Sequence, residues 1–130
     1  MLIFFKIHFY FENLHDRFGR TRKLITALLT HAGFEIANVE SAKLAWEWLE
    51  NNDFPDLILL DLIMPEETGL DLCRKIRSNA KWKDIPIVFC SSKSEEFDRF
   101  WALRQGGNDY IAQPFAPNEL INAVSKYLTA

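Results

Sequence analysis

Leu57-Ile58-Leu59-Leu60 is an unbroken apolar run that stops at a carboxylate, Asp61. A strand with one wet face alternates apolar and polar residues. A run without alternation must be covered on both sides, and four residues are too few for a helix. The segment therefore predicts a strand inside a sheet that carries helices on both faces. A second such run, Ile85–Cys90 with Pro86 at its opening, leads to Ser91. Two buried strands of this kind in one chain argue for a parallel sheet.

The rest of the chain supplies the helices. Thr21–Ala32 places Leu24, Ile25, Leu28 and Leu29 on one helical stripe, and Gly33 stops it. Phe34–Val39 is a short strand candidate. Ser41 is placed to cap a helix carrying Leu44, Ala45, Trp48 and Leu49, which Asn51-Asn52-Asp53 breaks. A loop with Pro65 and Gly69 precedes a helix through Leu70, Leu72, Cys73 and Ile76. Ser92-Lys93-Ser94-Glu95 has the pattern of a capping box, opening a helix with Phe97, Phe100, Trp101 and Leu103 that ends at Gly106-Gly107. Tyr110-Ile111-Ala112 is a short strand. Pro117 suits the first position of a last helix holding Leu120, Ile121, Val124 and Leu128. Strands alternating with helices imply a three-layer α/β sandwich with right-handed crossovers.

The opening segment fits less simply. Ile3, Phe5, Ile7, Phe9 and Phe11 alternate with positions that include Lys6 and His8, the pattern of a strand with one wet face. If exposed, such a strand would pair edge to edge with another copy and make a homodimer. Met1–Phe11 is too short to span a bilayer and lacks a cleavage site, so neither membrane insertion nor a signal peptide is expected.

One domain over residues 1–130 follows from the length. The net charge of −3 offers no basic field for nucleic acid or an anionic membrane. Cys73 and Cys90 lack metal-ligand spacing and suit a reducing cytoplasm, with Cys90 most simply a core residue. His8, His15 and His31 share no metal-like spacing. Trp46 and Trp48 are two apart on one helix, so one of them is expected to face the core. Trp82 falls in a loop, and Trp101 is either a packed residue or an exposed contact.

In sheets of this type chemistry collects beyond the carboxyl ends of the strands. Asp61, Ser91 and Gln113 stand at three such ends, and parallel neighbours would bring them into one shallow cleft. Alone, a strand-end aspartate is readily a solvated group. The surrounding motifs add to it. Leu59-Leu60-Asp61-Leu62-Ile63-Met64-Pro65 with Gly69, then Ile85-Pro86-Ile87-Val88-Phe89-Cys90-Ser91-Ser92-Lys93, then Gln105-Gly106-Gly107-Asn108-Asp109-Tyr110-Ile111-Ala112-Gln113-Pro114-Phe115 occur in order. Together they resemble the response-regulator receiver family over about residues 14–130. The details around Ser91-Ser92-Lys93 and Asp98–Trp101 are similar to stand-alone receivers of twitching-motility and phototaxis systems.

That resemblance implies a bacterial, cytoplasmic, flavodoxin-like domain with a doubly wound five-stranded parallel sheet in the order 2-1-3-4-5. It implies a two-component phosphorelay protein, not an enzyme, with a histidine kinase upstream and a separate target protein downstream. With no output domain after the last helix, the chain is expected to act alone. Position by position, Asp61 matches the phosphoacceptor and Ser91 the hydroxyl that contacts the phosphoryl group. Tyr110 matches the switch aromatic, and Gln113 stands where a lysine is usual. Mg²⁺ is the implied cofactor, with Asp61 and the backbone carbonyl of Ile63 among its ligands. The family also has a cis peptide before the equivalent of Pro114.

Two departures stand out. The adjacent acidic pair after strand one falls on Asp16-Arg17 when counted back from Gly33, and on Glu12-Asn13 when strand one is Ile3–Phe11. Either alignment leaves one carboxylate, and the sequence does not choose between them. Arg17, if it reaches Asp61, would substitute a guanidinium for the metal and lock the domain in one state. Gln113 donates a hydrogen bond but carries no charge. Both changes weaken the same event and admit a degenerate receiver that works as a phosphorylation-independent interaction module. Ile63, two residues after Asp61, argues against an aspartyl-phosphate hydrolase, which needs a second Asp there. A flavin-binding protein would need a phosphate loop after strand one, and none is present.

Overall fold

A computed structural model describes residues 6–10 and 20–22 as backbone, and residues 23–39, 41–51, 55–62, 68–93 and 95–128 with side chains. Its elements run β1 (Lys6–Tyr10), α1 (Arg20–His31), β2 (Glu35–Val39), α2 (Ala42–Asn51), β3 (Leu57–Leu60), α3 (Gly69–Arg77), β4 (Ile87–Ser91), α4 (Glu96–Arg104), β5 (Asp109–Ala112) and α5 (Pro117–Leu128). The five strands form one parallel sheet in the order β2-β1-β3-β4-β5. The expected α/β class, topology and strand order are all observed.

The unbroken apolar runs behave as their composition requires. β3 and β4 are buried at every position. Ile58, Leu60, Ile87 and Phe89 face a core made with α2, α3 and Ala102 of α4. Leu57, Leu59, Val88 and Cys90 face the opposite core, made with Ile25 and Leu29 of α1 and Leu120, Val124 and Leu128 of α5. Alternate residues of one strand thus feed two separate cores, which is why both strands are apolar until Ser91 at the end of β4. Local signals hold at several ends. The Leu44 N–H donates to Ser41 Oγ at 3.2 Å. Thr68 and Asp71 form a reciprocal capping box at the start of α3. Gly33 closes α1 at a φ of +98°, a conformation glycine adopts at least cost.

Four expectations are corrected. β1 lies inside the sheet, hydrogen-bonded to β2 on one side and β3 on the other. Its alternating sequence does not make it an edge, so edge-to-edge pairing with another copy through this strand is closed. The capping box expected at Ser92–Glu95 is absent: α4 starts from Glu95 with no side-chain cap bond. Ser94 lies outside the described residues. Trp46 and Trp48 both pack against the same core, because Trp46 reaches sideways to meet Trp82 edge-on at 4.8 Å while Lys75 lies over its ring. Leu24 and Leu44, expected on packed stripes, are instead about half exposed.

Candidate functional site

The register sets the site. Leu60 pairs with Phe89, and Ser91 pairs with Ala112. Asp61 is therefore one residue past β3, Ser91 is the last residue of β4, and Gln113 is one residue past β5. Among the described residues, Asp61 and Ser91 are the polar side chains that are fully buried. A carboxylate at zero exposure costs several kcal/mol unless its surroundings compensate it, at roughly the scale of a desolvated ion. Ser91, buried with it, stands at the carboxyl end of the neighbouring central strand.

Ser91 and Tyr110 both hold the backbone of one residue, Lys93. Ser91 Oγ accepts the Lys93 N–H at 3.3 Å. The Tyr110 hydroxyl donates to the Lys93 carbonyl. Lys93 thus connects the end of β4 to the start of α4 and is held from both sides. Tyr110 is buried and stacks beside Phe89 with ring centroids 6.4 Å apart. Burial pushes its phenol up to about 12; a hydrogen bond with Ser91 acts against this, and the charges of Asp98 and Asp61 add to it. Arg99 ties α4 to the same strand, donating to the Tyr110 carbonyl at 3.2 Å and lying 3.8 Å from Asp109.

Gln113 approaches from β5. Its backbone N–H donates to the Ser91 carbonyl at 2.8 Å, and its side-chain amide donates to the Cys90 sulfur at 3.7 Å. The Gln113–Pro114 peptide is cis, as expected. Cys90 is more than a core residue. Burial pushes its thiol up to about 12, the Gln113 amide opposes that shift, and the charges of Asp61 and Glu119 reinforce it. The charge of Asp61 therefore bears on both Cys90 and Tyr110.

Two residues that the sequence motifs include, Gly69 and Lys93, have roles that the sequence reading did not assign. Gly69 opens α3 directly against Asp61. A Cβ there would lie 2.9 Å from the Asp61 carbonyl carbon and 3.1 Å from Leu62 Cα, and closer still to the Asp61 carbonyl oxygen. Only glycine lets the helix start so near the strand end. The Lys93 peptide is the other, because a backbone partner leaves no mark in residue identity.

Glu12, Asn13, Asp16, Arg17 and Ile63 lie outside the described residues. β1 runs over Lys6–Tyr10, with Tyr10 opposite Leu60, the residue before Asp61. Among the described residues, no group of three His, Cys, Asp or Glu side chains is placed to hold a metal ion. Asp61 is one hard oxygen donor, and Mg²⁺ commonly takes only one or two protein carboxylates, so the donor chemistry fits. No helix of the described residues is long and apolar enough to cross a membrane.

Comparison with known proteins agrees with this geometry. The chain is 36% identical over 106 residues to the chemotaxis protein CheY1 of Helicobacter pylori, covering 81% of this chain and 86% of that protein. It is 36% identical over 100 residues to the phosphate regulon transcriptional regulatory protein PhoB of Pseudomonas aeruginosa, covering 77% of this chain and 43% of the regulator. The chain thus spans less than half the length of that regulator. Its fold matches the receiver domain of the sensor histidine kinase PA1611 from Pseudomonas aeruginosa, with a TM-score of 0.83 at 24% identity over 98% of this chain and all of that one. That receiver holds a magnesium ion in its active-site cleft. Residues 18–125 match the response regulator receiver domain, and the chain belongs to that family, a signalling module of two-component systems and not an enzyme in the usual sense.

Proposed function

We propose that the chain accepts a phosphoryl group on Asp61 from a histidine kinase and passes the signal through a protein surface. The observation that carries this reading is the pair of fully buried polar side chains, Asp61 and Ser91, at the carboxyl ends of adjacent central strands. In the transfer, an Asp61 carboxylate oxygen attacks phosphorus and the bond from phosphorus to the donor's nitrogen breaks. The donor imidazole keeps the electron pair, and Asp61 becomes an acyl phosphate. Ser91 would turn its hydroxyl to a phosphoryl oxygen, and the Gln113 amide would supply a neutral donor from the opposite side. Mg²⁺, held by Asp61 with Glu12 or Asp16 and the Ile63 carbonyl, would neutralise charge on the phosphoryl oxygens when bound.

The product adds about −1.5 to −2 charge to a site that already buries a carboxylate. When Ser91 turns toward it, the Lys93 N–H loses its acceptor, and the start of α4 follows. Tyr110 holds the carbonyl of the same residue, so its ring and the surface of α4, β5 and α5 move as one response. CheY1 matches this chain over most of its own length, which supports a receiver that acts on a separate cytoplasmic target.

A second reading has its own support. The Gln113 amide rests on the Cys90 sulfur, and no cation stands in its place at the end of β5. Such a domain would serve as a phosphorylation-independent interaction module, with Arg17 in the role of a fixed counter-charge to Asp61. Incubation with acetyl phosphate and Mg²⁺, followed by intact-mass measurement, separates the two readings. A gain of one phosphoryl group, abolished by Asp61→Asn, is expected. Unchanged mass at saturating donor would overturn phosphorylation and leave the interaction module.

A further inference from the structure

Charge is spread unevenly along this chain. Arg74, Lys75, Arg77, Lys81 and Lys83 fall within ten residues that hold no acid, and Asp84 ends the run. The rest of the chain carries ten basic residues against eighteen acidic ones, a net of −8. Arg77 is committed to carbonyls of the fold, and Arg74 pairs with Asp71. Lys75, Lys81 and Lys83 stand exposed. Among the described residues, no carboxylate forms an ion pair with Lys75 or Lys83. Basic residues in the last turn of α3 complement the partial negative charge of a helix end. Lys81 and Lys83 lie beyond that helix, which ends at Arg77, so the dipole does not account for them.

Aromatic rings hold two of these lysines. The Lys75 ammonium lies 4.8 Å from the centre of the Trp46 ring, and the Lys81 ammonium 5.6 Å from that of Trp82. The two indoles meet edge-on at 4.8 Å, so one pair of rings carries both charges. Trp46 is only half-buried and leaves ring surface beside them. Gly69 opens α3 against Asp61, so this strip gathers at the other end of the helix, about 12 Å along its axis. We propose that it docks a short acidic segment of another protein. Held ammonium groups beside an indole match carboxylates interleaved with apolar side chains. A long polyanion such as nucleic acid would run past the strip onto the acidic remainder of the chain and be repelled.

Fluorescence anisotropy on the unphosphorylated protein tests this independently of any chemistry at Asp61. The probe is a dye-labelled peptide of about eight residues, Glu with interspersed Leu, at about 50 mM salt, where surface charges are weakly screened. Binding with a Kd of about 10–100 µM is expected, and none by the same peptide with Gln for Glu. Lys75→Glu with Lys81→Glu is expected to weaken it at least tenfold, and Lys83→Glu, which disturbs neither ring, about threefold. Lys23→Glu with Lys126→Glu makes the same change of net charge on α1 and α5 and is expected to cost less than about threefold. Circular dichroism would verify that each variant folds. Absent binding, or equal losses in the two double variants, would overturn the proposal. Tighter binding of a labelled single-stranded oligonucleotide of equal length would overturn it in favour of nucleic acid, and a wild-type dimer dissolved by the first double variant in favour of a second copy.

Discussion

Replacing Gly69 with alanine isolates the close approach on which the Asp61 end of the sheet is built. The new Cβ would sit 2.9 Å from the Asp61 carbonyl carbon, where ordinary contact is 3.4–4 Å, and nearer still to the oxygen. The three nearest atoms are all backbone of Asp61 or Leu62, so no side chain can swing aside to relieve them. The start of α3 must back away, which stretches the Gly69 N–H to Leu62 carbonyl bond of 3.1 Å. Overpacking of this kind costs about 1–3 kcal/mol, and the weakened hydrogen bond adds about 0.5–1.5 kcal/mol. Alanine's better helix propensity returns at most about 1 kcal/mol, less at a first helical residue. The net loss is about 2–3 kcal/mol, or roughly 6–15 °C in Tm for a domain of this size. Urea unfolding followed by circular dichroism reads it directly. Gly33→Ala is the control: φ is +98° with nothing within 4 Å of the added methyl, so only backbone strain of about 1–2 kcal/mol is expected. A Gly69→Ala protein within about 0.5 kcal/mol of wild type would refute the reasoning, since it would mean α3 moves off the strand end freely.

Three further outcomes follow from the same geometry. Arg77 donates to the carbonyls of Gly106, Lys83 and Ile85 and to Asn108 Oδ1, at 2.7–2.9 Å, knitting α3 to the loops before β4 and β5; Arg77→Met should cost about 2–4 kcal/mol in urea unfolding. Burial raises the thiols of Cys73 and Cys90 to about 11 and 12, from an ordinary value of 9.0. The unfolded chain therefore ionises first, so stability is intact below about pH 9 and falls as pH rises toward 12. Urea midpoints measured from pH 8 to 11 should decline, and replacing both cysteines with alanine should flatten the decline; an unchanged slope would count against buried neutral thiols as its source. Gln113→Lys should raise the rate of acetyl phosphate labelling of Asp61 at least tenfold, about 1.4 kcal/mol, by adding a cation beside the phosphoryl oxygens; an unaltered rate would show that the end of β5 does not face the reacting group.

Much of this molecule was legible in residue order alone. Strands without alternation demand cover on both faces, so Leu57–Leu60 and Ile85–Cys90 imply a layered α/β fold before any coordinate is known. The placement of Asp61 and Ser91 at strand ends follows from the same runs, and that of Gln113 from the shorter Tyr110-Ile111-Ala112, because a polar group marks where the apolar run stops. Gly69 and the Lys93 peptide were not legible, since a close approach and a backbone partner are properties of two distant segments brought together.

Periodicity records which side of an element is apolar, and that much the chain carries in itself. It does not record what covers that side. β1 alternates like an edge strand yet lies between two neighbours. α4 carries an aromatic stripe like a core helix yet leaves it in water. Both were decided by tertiary packing, because the cover over a face comes from residues far away in sequence, and only the folded chain brings them near or leaves them absent.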